Sequence, residues 1–149
     1  MKSALPEDLA EPIRRHLEGH SRSFLLTLRA DGSPTAHPMT ALLEEGALVF
    51  NTYRKSAKAR NVERDPRLAV VLLDGYDEAV GEGGGGFALE GEGEVCRVEA
   101  HSEQRGSGPE VAAAQRERVG ERLREGKRIF IRTRCASGRV ISSGESESR

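Results

Sequence analysis

Residues 23–52 read SFLLTLRADGSPTAHPMTALLEEGALVFNT, and our prediction of the fold rests on this stretch. Three apolar, β-type runs at residues 23–29, 35–43 and 47–52 are separated by the short segments ADGSP and EEG. Asp and Gly accept the backbone angles of tight turns, and Pro cannot continue a hydrogen-bonded ladder. Three short runs joined by two tight turns therefore predict an antiparallel meander.

The residues before this stretch are predicted to form a helix that begins near residue 5. Pro12 is expected to divide the segment into a short turn and a helix, because proline removes a backbone donor. Gly19 is expected to end the helix. The residues that recur at every fourth position and would line one helical face are Leu5, Leu9, Ile13 and Leu17.

The residues after position 52 combine helical and β-type patterns. Residues 56–64 (SAKARNVER) are rich in helix formers, begin with a potential N-cap serine and stop before Asp-Pro. Residues 68–74 (LAVVLLD) form a nearly continuous apolar run and predict a central, well-buried strand. The other predicted elements are a loop at 75–86, a long strand at 87–98, a helix at 109–125 and a closing strand from 129–133 and 140–141.

This order of elements predicts the fold class. Hairpin-linked strands with short helices between them do not follow a βαβ rhythm and favour a closed or partly closed antiparallel barrel. We therefore expect a mainly β protein with two or three short helices and an antiparallel β-barrel of about six strands. Residues 1–141 are expected to form one domain, with an N-terminal helix in 1–20 and the barrel in 22–141, and residues 142–149 a disordered tail.

Composition argues against several classes of protein. The chain has 24 acidic and 23 basic residues, whereas a protein that coats nucleic acid needs an excess of Lys and Arg on one face. No window approaches the roughly 20 apolar residues of a membrane span, and residues 1–9 contain no signal-peptide run. Cys96 and Cys135 form no C-x-x-C pair, which favours buried, reduced thiols. We expect a cytoplasmic protein without a nucleic-acid or membrane partner.

Two weak signals for a ligand are interpreted as structural. Gly81, Gly83 and Gly86 match G-x-G-x-x-G, but a β-type run follows them where the dinucleotide fingerprint needs a helix. His16 and His20 are four positions apart, the spacing of two metal ligands on one helix face. Because no third ligand is evident near them, we expect a solvent-exposed pair and no metal site.

The segment at residues 52–61 (TYRKSAKARN) has the strongest signal for a binding site. It holds Arg54, Lys55, Lys58 and Arg60 where a predicted strand ends and a helix begins. A phosphate placed there would meet unpaired backbone donors, hydroxyl groups and cations together. The pattern also fits a solvated basic helix face, or a weak nucleic-acid-binding face, and these alternatives stay open.

Several short motifs follow one another along residues 24–74. They are F-L-x-T-L-R-x-D-G-x-P, H-P-M-T, L-V-F-N-T and S-x-K-x-R-N-V-x-R-D-P-R, followed by an apolar strand. In these motifs the chain resembles the pyridoxamine 5′-phosphate oxidase-like superfamily, the flavin-binding split barrels. The resemblance implies an antiparallel split β-barrel. Its last motif is most similar to the branch that uses the deazaflavin coenzyme F420, and the arginine-rich C-terminal signature of the true oxidases is not recognisable.

The resemblance implies a phosphate site at the start of the second predicted helix. Lys58, with Ser56 and Arg54, would hold the phosphate of the cofactor. Asn61 would orient the phosphate-binding loop. Arg60 would reach the phosphate or a partner subunit.

The resemblance also implies where the cofactor ring would lie. Thr52 and the backbone around Phe50 and Asn51 would line the pyrimidine side of the ring. The residues that would pass along the ring from the adjacent strand are His37, Pro38, Met39 and Thr40.

By the same resemblance we expect a flavin- or deazaflavin-dependent oxidoreductase. It would transfer a hydride from reduced F420, or alternatively FMN, to a conjugated C=C or C=N bond of a small organic substrate. The alternative is a non-catalytic protein that binds FMN, F420 or another ligand. A homodimer with the cofactor near the subunit interface is expected. The catalytic residues are not identified; solvent, His37 or Tyr53 would supply a proton.

Overall fold

The computed structural model describes residues 4–74, 85–97 and 128–141. The predicted helix at 109–125, the predicted tail at 142–149 and most of the predicted loop at 75–86 lie outside these residues. Neither helix of the described part is long and apolar enough to cross a bilayer. The described elements are helices α1 (Ala10–Gly19) and α2 (Ala57–Arg64) and strands β1 (Arg22–Leu28), β2 (Pro34–Thr40), β3 (Leu42–Glu44), β4 (Ala47–Tyr53), β5 (Arg67–Leu73), β6 (Gly86–Arg97) and β7 (Arg128–Ile141).

All seven strands belong to one antiparallel sheet, in the order β2-β1-β5-β6-β7-β4-β3. The two edges of this sheet are β2 and β3, although only Ala41 separates them along the chain. Because neighbouring strands lie about 4.8 Å apart, a flat sheet could not bring its two edges together at one residue. The sheet therefore curls into a half-barrel, and the prediction of a mainly β split barrel is confirmed.

The pairing of the first strands differs in part from the prediction. The predicted second strand is broken at Ala41, whose buried N–H donates to the Ser21 carbonyl at 2.9 Å, so the sheet has seven strands. The two hairpins of the predicted meander are confirmed, since β1 pairs with β2 and β3 pairs with β4. The three predicted strands are not adjacent in the sheet, because the break at Ala41 places β2 and β3 at opposite edges and β4 also pairs with β7. Pro38 suits an edge strand, since it has no N–H to donate to a second neighbour.

Both predicted turns are present, with the expected chemistry. Between β1 and β2, the Asp31 carboxylate accepts hydrogen bonds from the backbone N–H of Ser33 at 2.9 Å and from its hydroxyl at 2.6 Å. Gly32 has a φ of 85°. Between β3 and β4, Glu45 and Gly46 both have positive φ, at 50° and 77°. Two consecutive positive φ angles match the twist of a tight hairpin, so this turn sets the register of β3 on β4.

The concave side of the sheet encloses the apolar core. Leu25 of β1, Phe50 of β4 and Ile131 of β7 are completely buried there. Ile13 of α1 and Val62 of α2 close the core at its ends. The prediction of buried, reduced thiols is confirmed for Cys135 and is wrong in part for Cys96, which is half-exposed.

The N-terminal helix has the predicted shape. A turn closes where the Leu9 N–H donates to the Pro6 carbonyl at 3.0 Å, and α1 then begins at Ala10. Pro12 lies in the first turn of α1, where no intrahelical donor is lost. Gly19 is the last helical residue, as predicted.

The histidine pair on α1 is not the exposed pair that the sequence predicts. His20 is exposed, but the His16 side chain is only 7% exposed and its Nδ1 lies 2.8 Å from the Asp74 carboxylate. The edge of the His16 ring meets Phe87, and Nε2 is buried without a hydrogen-bond partner among the described residues. Spacing alone could not show this, because the burial comes from β5 and β6. Burial lowers the pKa of His16 more than Asp74 raises it.

This buried histidine predicts a loss of stability in mild acid. Since the pKa of His16 is below its ordinary value of 6.5 in the folded state, the unfolded chain binds the proton more tightly. The contribution of His16 is therefore complete above about pH 6.5 and is lost as the pH falls through the folded-state pKa. Urea unfolding from about pH 8 to about pH 5 should show a steeper decline for the wild type than for His16→Gln. Parallel declines would contradict this role of His16.

Candidate functional site

The start of α2 is shaped by the Ser56 hydroxyl group. The Ser56 Oγ accepts a hydrogen bond from the Ala59 N–H at 3.2 Å and another from the Thr52 hydroxyl at 3.1 Å. The predicted N-cap at Ser56 is confirmed. With these two bonds accepted, the Ser56 hydroxyl proton has no acceptor among the described residues and can be donated to a ligand.

The first backbone donors of α2 add to this site. The first intrahelical bond runs from the Arg60 N–H to the Ser56 carbonyl at 3.1 Å. The N–H groups of Ala57 and Lys58 precede it and have no intrahelical carbonyl to bond, as in the first turn of any helix. Such groups carry partial positive charge and favour an anion.

Lys58 lies next to these donors without a counter-ion. It is half-buried, and within the described ranges no acidic side chain pairs with it. Burial lowers the pKa of Lys58, and the nearby positive charge of Arg128 lowers it further. A partly desolvated ammonium group beside a second cation is unfavourable, and a bound anion would relieve both effects.

Arg128, the first residue of β7, is the cation that the sequence analysis missed. Its guanidinium carbon lies 4.0 Å from the centre of the Tyr53 ring, and its Nη1 donates to the Asn51 Oδ1 at 3.1 Å. Its Nε is buried and has no acceptor among the described residues. Asn51 and Tyr53 are on β4, so only the pairing of β4 with β7 brings Arg128 to this site.

Strand β2 has one half-buried face and one exposed face. Thr35, His37 and Met39 point to its half-buried side, and the Thr35 Oγ1 lies 2.8 Å from the His37 Nε2. Burial lowers the pKa of His37, and the positive charges of Lys58 and Arg29 lower it further. His37 is therefore near Lys58, as the predicted site requires.

The other two predicted residues of β2 lie elsewhere. Pro38 and Thr40 are exposed on the opposite face of the strand, because side chains alternate along it. The structure therefore brings together His37 and Lys58 but leaves the side chains of Pro38 and Thr40 outside this cluster.

The predicted residues of β4 also divide between two faces. The side chains of Phe50 and Thr52 are buried on the concave side of the sheet, and Asn51 is half-buried on the other side beside Arg128. Phe50 is a core residue, so only its backbone is available to a ligand.

The exposed cations differ from Lys58. Arg54 and Lys55, in the turn before α2, and Arg60, on its outer side, are all exposed. They can reach an anion only from solvent, whereas Lys58 is already held in a half-buried position.

The Asn61 side chain connects α2 to strand β1. It is buried, and its Nδ2 donates to the Thr27 Oγ1 at 3.0 Å. The Thr27 Oγ1 lies 2.9 Å from the Thr35 Oγ1, which in turn contacts His37. This series of four side chains links α2 through β1 to β2 and holds the His37 ring.

The chemistry of the assembled site is that of an anion receptor. The charge of Arg128 lowers the pKa of Lys58, and the charge of Lys58 lowers the pKa of His37, whereas no carboxylate among the described residues contributes to either pKa. The buried Arg128 Nε and the free proton of Ser56 add donors that lack acceptors. Among the described residues there is no group of three or more His, Cys, Asp or Glu that could hold a metal ion.

Comparison with known proteins gives a family and a fold. The family model described as pyridoxamine 5′-phosphate oxidase matches residues 9–132. No curated protein matches the sequence. A conserved hypothetical protein from Mycobacterium tuberculosis has a similar structure, with a TM-score of 0.69, 23% identity and coverage of 93% of both chains.

Two further solved structures share the fold but have different names. A heme binding protein from Mycobacterium smegmatis is 23% identical with a TM-score of 0.66, and the alignment covers 97% of this chain and 57% of that chain. An F420 reductase is 18% identical with a TM-score of 0.59, and the alignment covers 85% of this chain and 94% of that chain. Identities this low establish the shared fold alone.

The link between α2 and β1 can be tested by Asn61→Ala. This change removes the Asn61 donor to the buried Thr27 hydroxyl, so we expect it to lower the free energy of unfolding by about 1–3 kcal/mol. Urea unfolding measures this. The control is Arg60→Ala, an exposed change on the same helix, which should cost less than about 0.5 kcal/mol. Equal effects of the two substitutions would show that the Asn61 bond does not hold α2 in place.

Proposed function

The chain belongs to the pyridoxamine 5′-phosphate oxidase family, and on that basis we propose that it is a flavin- or deazaflavin-dependent oxidoreductase. It transfers a hydride from reduced F420, with FMN as the alternative cofactor, to a conjugated C=C or C=N bond of a small organic substrate. The observation that carries this proposal is the half-buried Lys58 at the start of α2, which has Arg128 beside it and no acidic partner among the described residues.

The proposed phosphate site uses the beginning of α2. Lys58 supplies a positive charge, Ser56 supplies its free hydroxyl proton, and the first N–H groups of the helix supply partial positive charge. Arg54 and Arg60 are exposed near the same helix start and would approach the phosphate, or a partner subunit, from solvent.

The proposed ring site lies between β2 and β4. The backbone of Phe50, Asn51 and Thr52 would face the pyrimidine side of the ring, because the Thr52 side chain, like that of Phe50, is buried. His37 and Met39 would pass along it with their side chains, because they share the half-buried face of β2. Pro38 and Thr40 point the other way and would contribute only their backbone.

The protein's part in the reaction is binding, orientation and exclusion of water. The cofactor, when bound, supplies the hydride chemistry. Because burial and nearby cations lower the pKa of His37, its ring is mainly neutral near pH 7, and it would have to take up a proton before it could deliver one to the product. Thr35 holds the His37 Nε2 and so fixes how the ring is turned. Solvent and Tyr53 are the other proposed proton sources.

We include a homodimer with the cofactor near the subunit interface in this proposal. Phe24 on the outer face of β1 is 37% exposed, and it is in register with Val71 of β5 and Pro38 of β2. These neighbouring apolar side chains offer a surface that pairing of two small barrels would cover. Sedimentation at several protein concentrations measures the oligomeric state.

The cofactor site is tested by titrating the protein with FMN and with F420 and following cofactor fluorescence. Lys58→Ala removes one charge-assisted contact to the phosphate, so affinity for the preferred cofactor should fall by about 1.5–3 kcal/mol. The matched control is Lys55→Ala, an exposed lysine three positions away, which should change affinity little. Unchanged affinity in Lys58→Ala would remove the phosphate role of Lys58.

The alternative is a protein of the same fold that binds FMN, F420 or another ligand without turnover, and the heme binding protein among its structural neighbours supports keeping this alternative. Single-turnover mixing of the reduced complex with conjugated enones separates the two. Oxidation of the bound cofactor faster than in free solution supports the reductase. Equal rates with and without protein support the binding protein.

A further inference from the structure

Arg128 is held in one orientation by contacts that do not use all of its donors. The guanidinium lies over the Tyr53 ring at 4.0 Å, and the Nη1 donates to Asn51 at 3.1 Å. Both partners come from the adjacent strand β4, in which Tyr53 pairs directly with Arg128. The side chain is therefore fixed before any ligand arrives, and a planar group fixed in this way loses little freedom when it binds one.

One of the unused donors of this guanidinium, the Nε–H, is buried. The Arg128 Nε is buried and finds no acceptor among the described residues. Buried polar groups in proteins are almost always hydrogen-bonded, and exceptions require an explanation. An oxygen of a bound anion is the acceptor that a guanidinium accommodates best, because its N–H groups match the geometry of phosphate and carboxylate oxygens.

Lys58 is a second cation close to Arg128. Arg128 is close enough to Lys58 for its charge to lower the lysine pKa. The positive charges of Lys58 and Arg128 repel each other, and within the described ranges no acidic side chain pairs with Lys58. The two side chains come from α2 and β7, so the fold itself brings them together. An anion bound to both side chains would offset this repulsion, because it would attract each of the two cations.

We propose that Arg128 is the second cation of the phosphate site and that Arg128 and Lys58 together make the protein select ring cofactors with a phosphate over the same rings without one. This inference rests on the proposed function and adds to it a specificity-determining residue. The shared ligand chemistry is a phosphate at the ribityl end, which FMN and F420 both provide. Tyr53 and Asn51 are the positioning residues, since they act on the phosphate through Arg128.

The test compares each cofactor with its phosphate-free counterpart. Affinities for FMN and riboflavin, and for F420 and the corresponding phosphate-free deazaflavin, are measured by fluorescence in wild type and in Arg128→Met. Methionine keeps an unbranched side chain over Tyr53 but removes the donors. We expect the affinity for the phosphorylated cofactor to fall roughly 10- to 100-fold, with the phosphate-free counterpart changed by less than about twofold.

Two further variants make the result specific. Arg134→Met is the matched control, because Arg134 is an exposed arginine on the same strand, and it should leave both affinities unchanged. Arg128→Lys keeps the charge but loses the planar set of donors, so it should recover only part of the lost selectivity. Circular dichroism and urea unfolding of each variant verify that it is folded.

A second arm does not depend on any ring cofactor. Inorganic phosphate, compared with chloride at equal ionic strength, should raise the melting temperature of the wild type. It should do so less in Arg128→Met and in Lys58→Ala. The FMN and F420 arms then identify which cofactor supplies the phosphate.

The possible results distinguish a failure of the Arg128 proposal from a failure of the proposed cofactor-binding function. If Lys58→Ala loses phosphate selectivity and Arg128→Met keeps it, the role of Arg128 is overturned and the cofactor site stands. If Arg128→Met weakens FMN and riboflavin equally, Arg128 acts on the ring and the inference is likewise overturned. If no ring cofactor binds to the wild type, the proposed function fails. The proposed selectivity between ring cofactors is then rejected as well, and the phosphate arm tests only whether Arg128 is a cation of an anion site. Stabilisation that is lost in Arg128→Met supports that role, and no stabilisation of the wild type rejects it.

Discussion

One stretch of chain supplies both edges of the sheet, and the rest of the structure depends on this constraint. β2 and β3 are separated only by Ala41, yet they occupy opposite ends of a seven-stranded sheet. The sheet must curl to satisfy this connection, and curling gives it a concave side on which the core can form. It also places the half-buried face of β2 near the end of β4 and the start of α2. The site therefore follows from how the barrel closes.

The two cations Lys58 and Arg128 and the mainly neutral His37 come from three separate parts of the fold, and neutral groups hold Arg128 and His37 in place. Asn61, Thr27 and Thr35 connect α2 to His37 through hydrogen bonds of 2.8 to 3.0 Å. Arg128 is held by an amide oxygen and an aromatic ring. Neutral partners fix these side chains without cancelling their charge, whereas carboxylates would have neutralised them. A site built in this way keeps its positive potential for a ligand.

The structure corrects the sequence analysis where contacts between distant segments decide the outcome. Consecutive strands pair as the meander prediction assumes, but the break at Ala41 places β2 and β3 at opposite edges of the sheet. The sequence analysis expects His16 to be exposed because no third metal ligand is evident near it, whereas in the structure Asp74, just after β5, and Phe87 of β6 contact its buried side chain. Of the residues predicted on β2, His37 and Met39 lie on its half-buried face, where Met39 packs against the core, and Pro38 and Thr40 lie on its exposed face, because a strand shows alternate residues on opposite faces.

The sequence by itself determined the local features: the two turns, the serine cap of α2, the end of α1 at Gly19 and the positions of the strands along the chain. Each of these depends on backbone angles or hydrogen bonds within a few residues, so its signal lies in the local sequence. The motif order also determined the family. The tertiary structure alone decided which strands pair and which cations meet. Arg128 and Asn51 are 77 positions apart, and no local pattern specifies that their side chains will share a hydrogen bond. That contact exists because the curled sheet brings β7 beside β4.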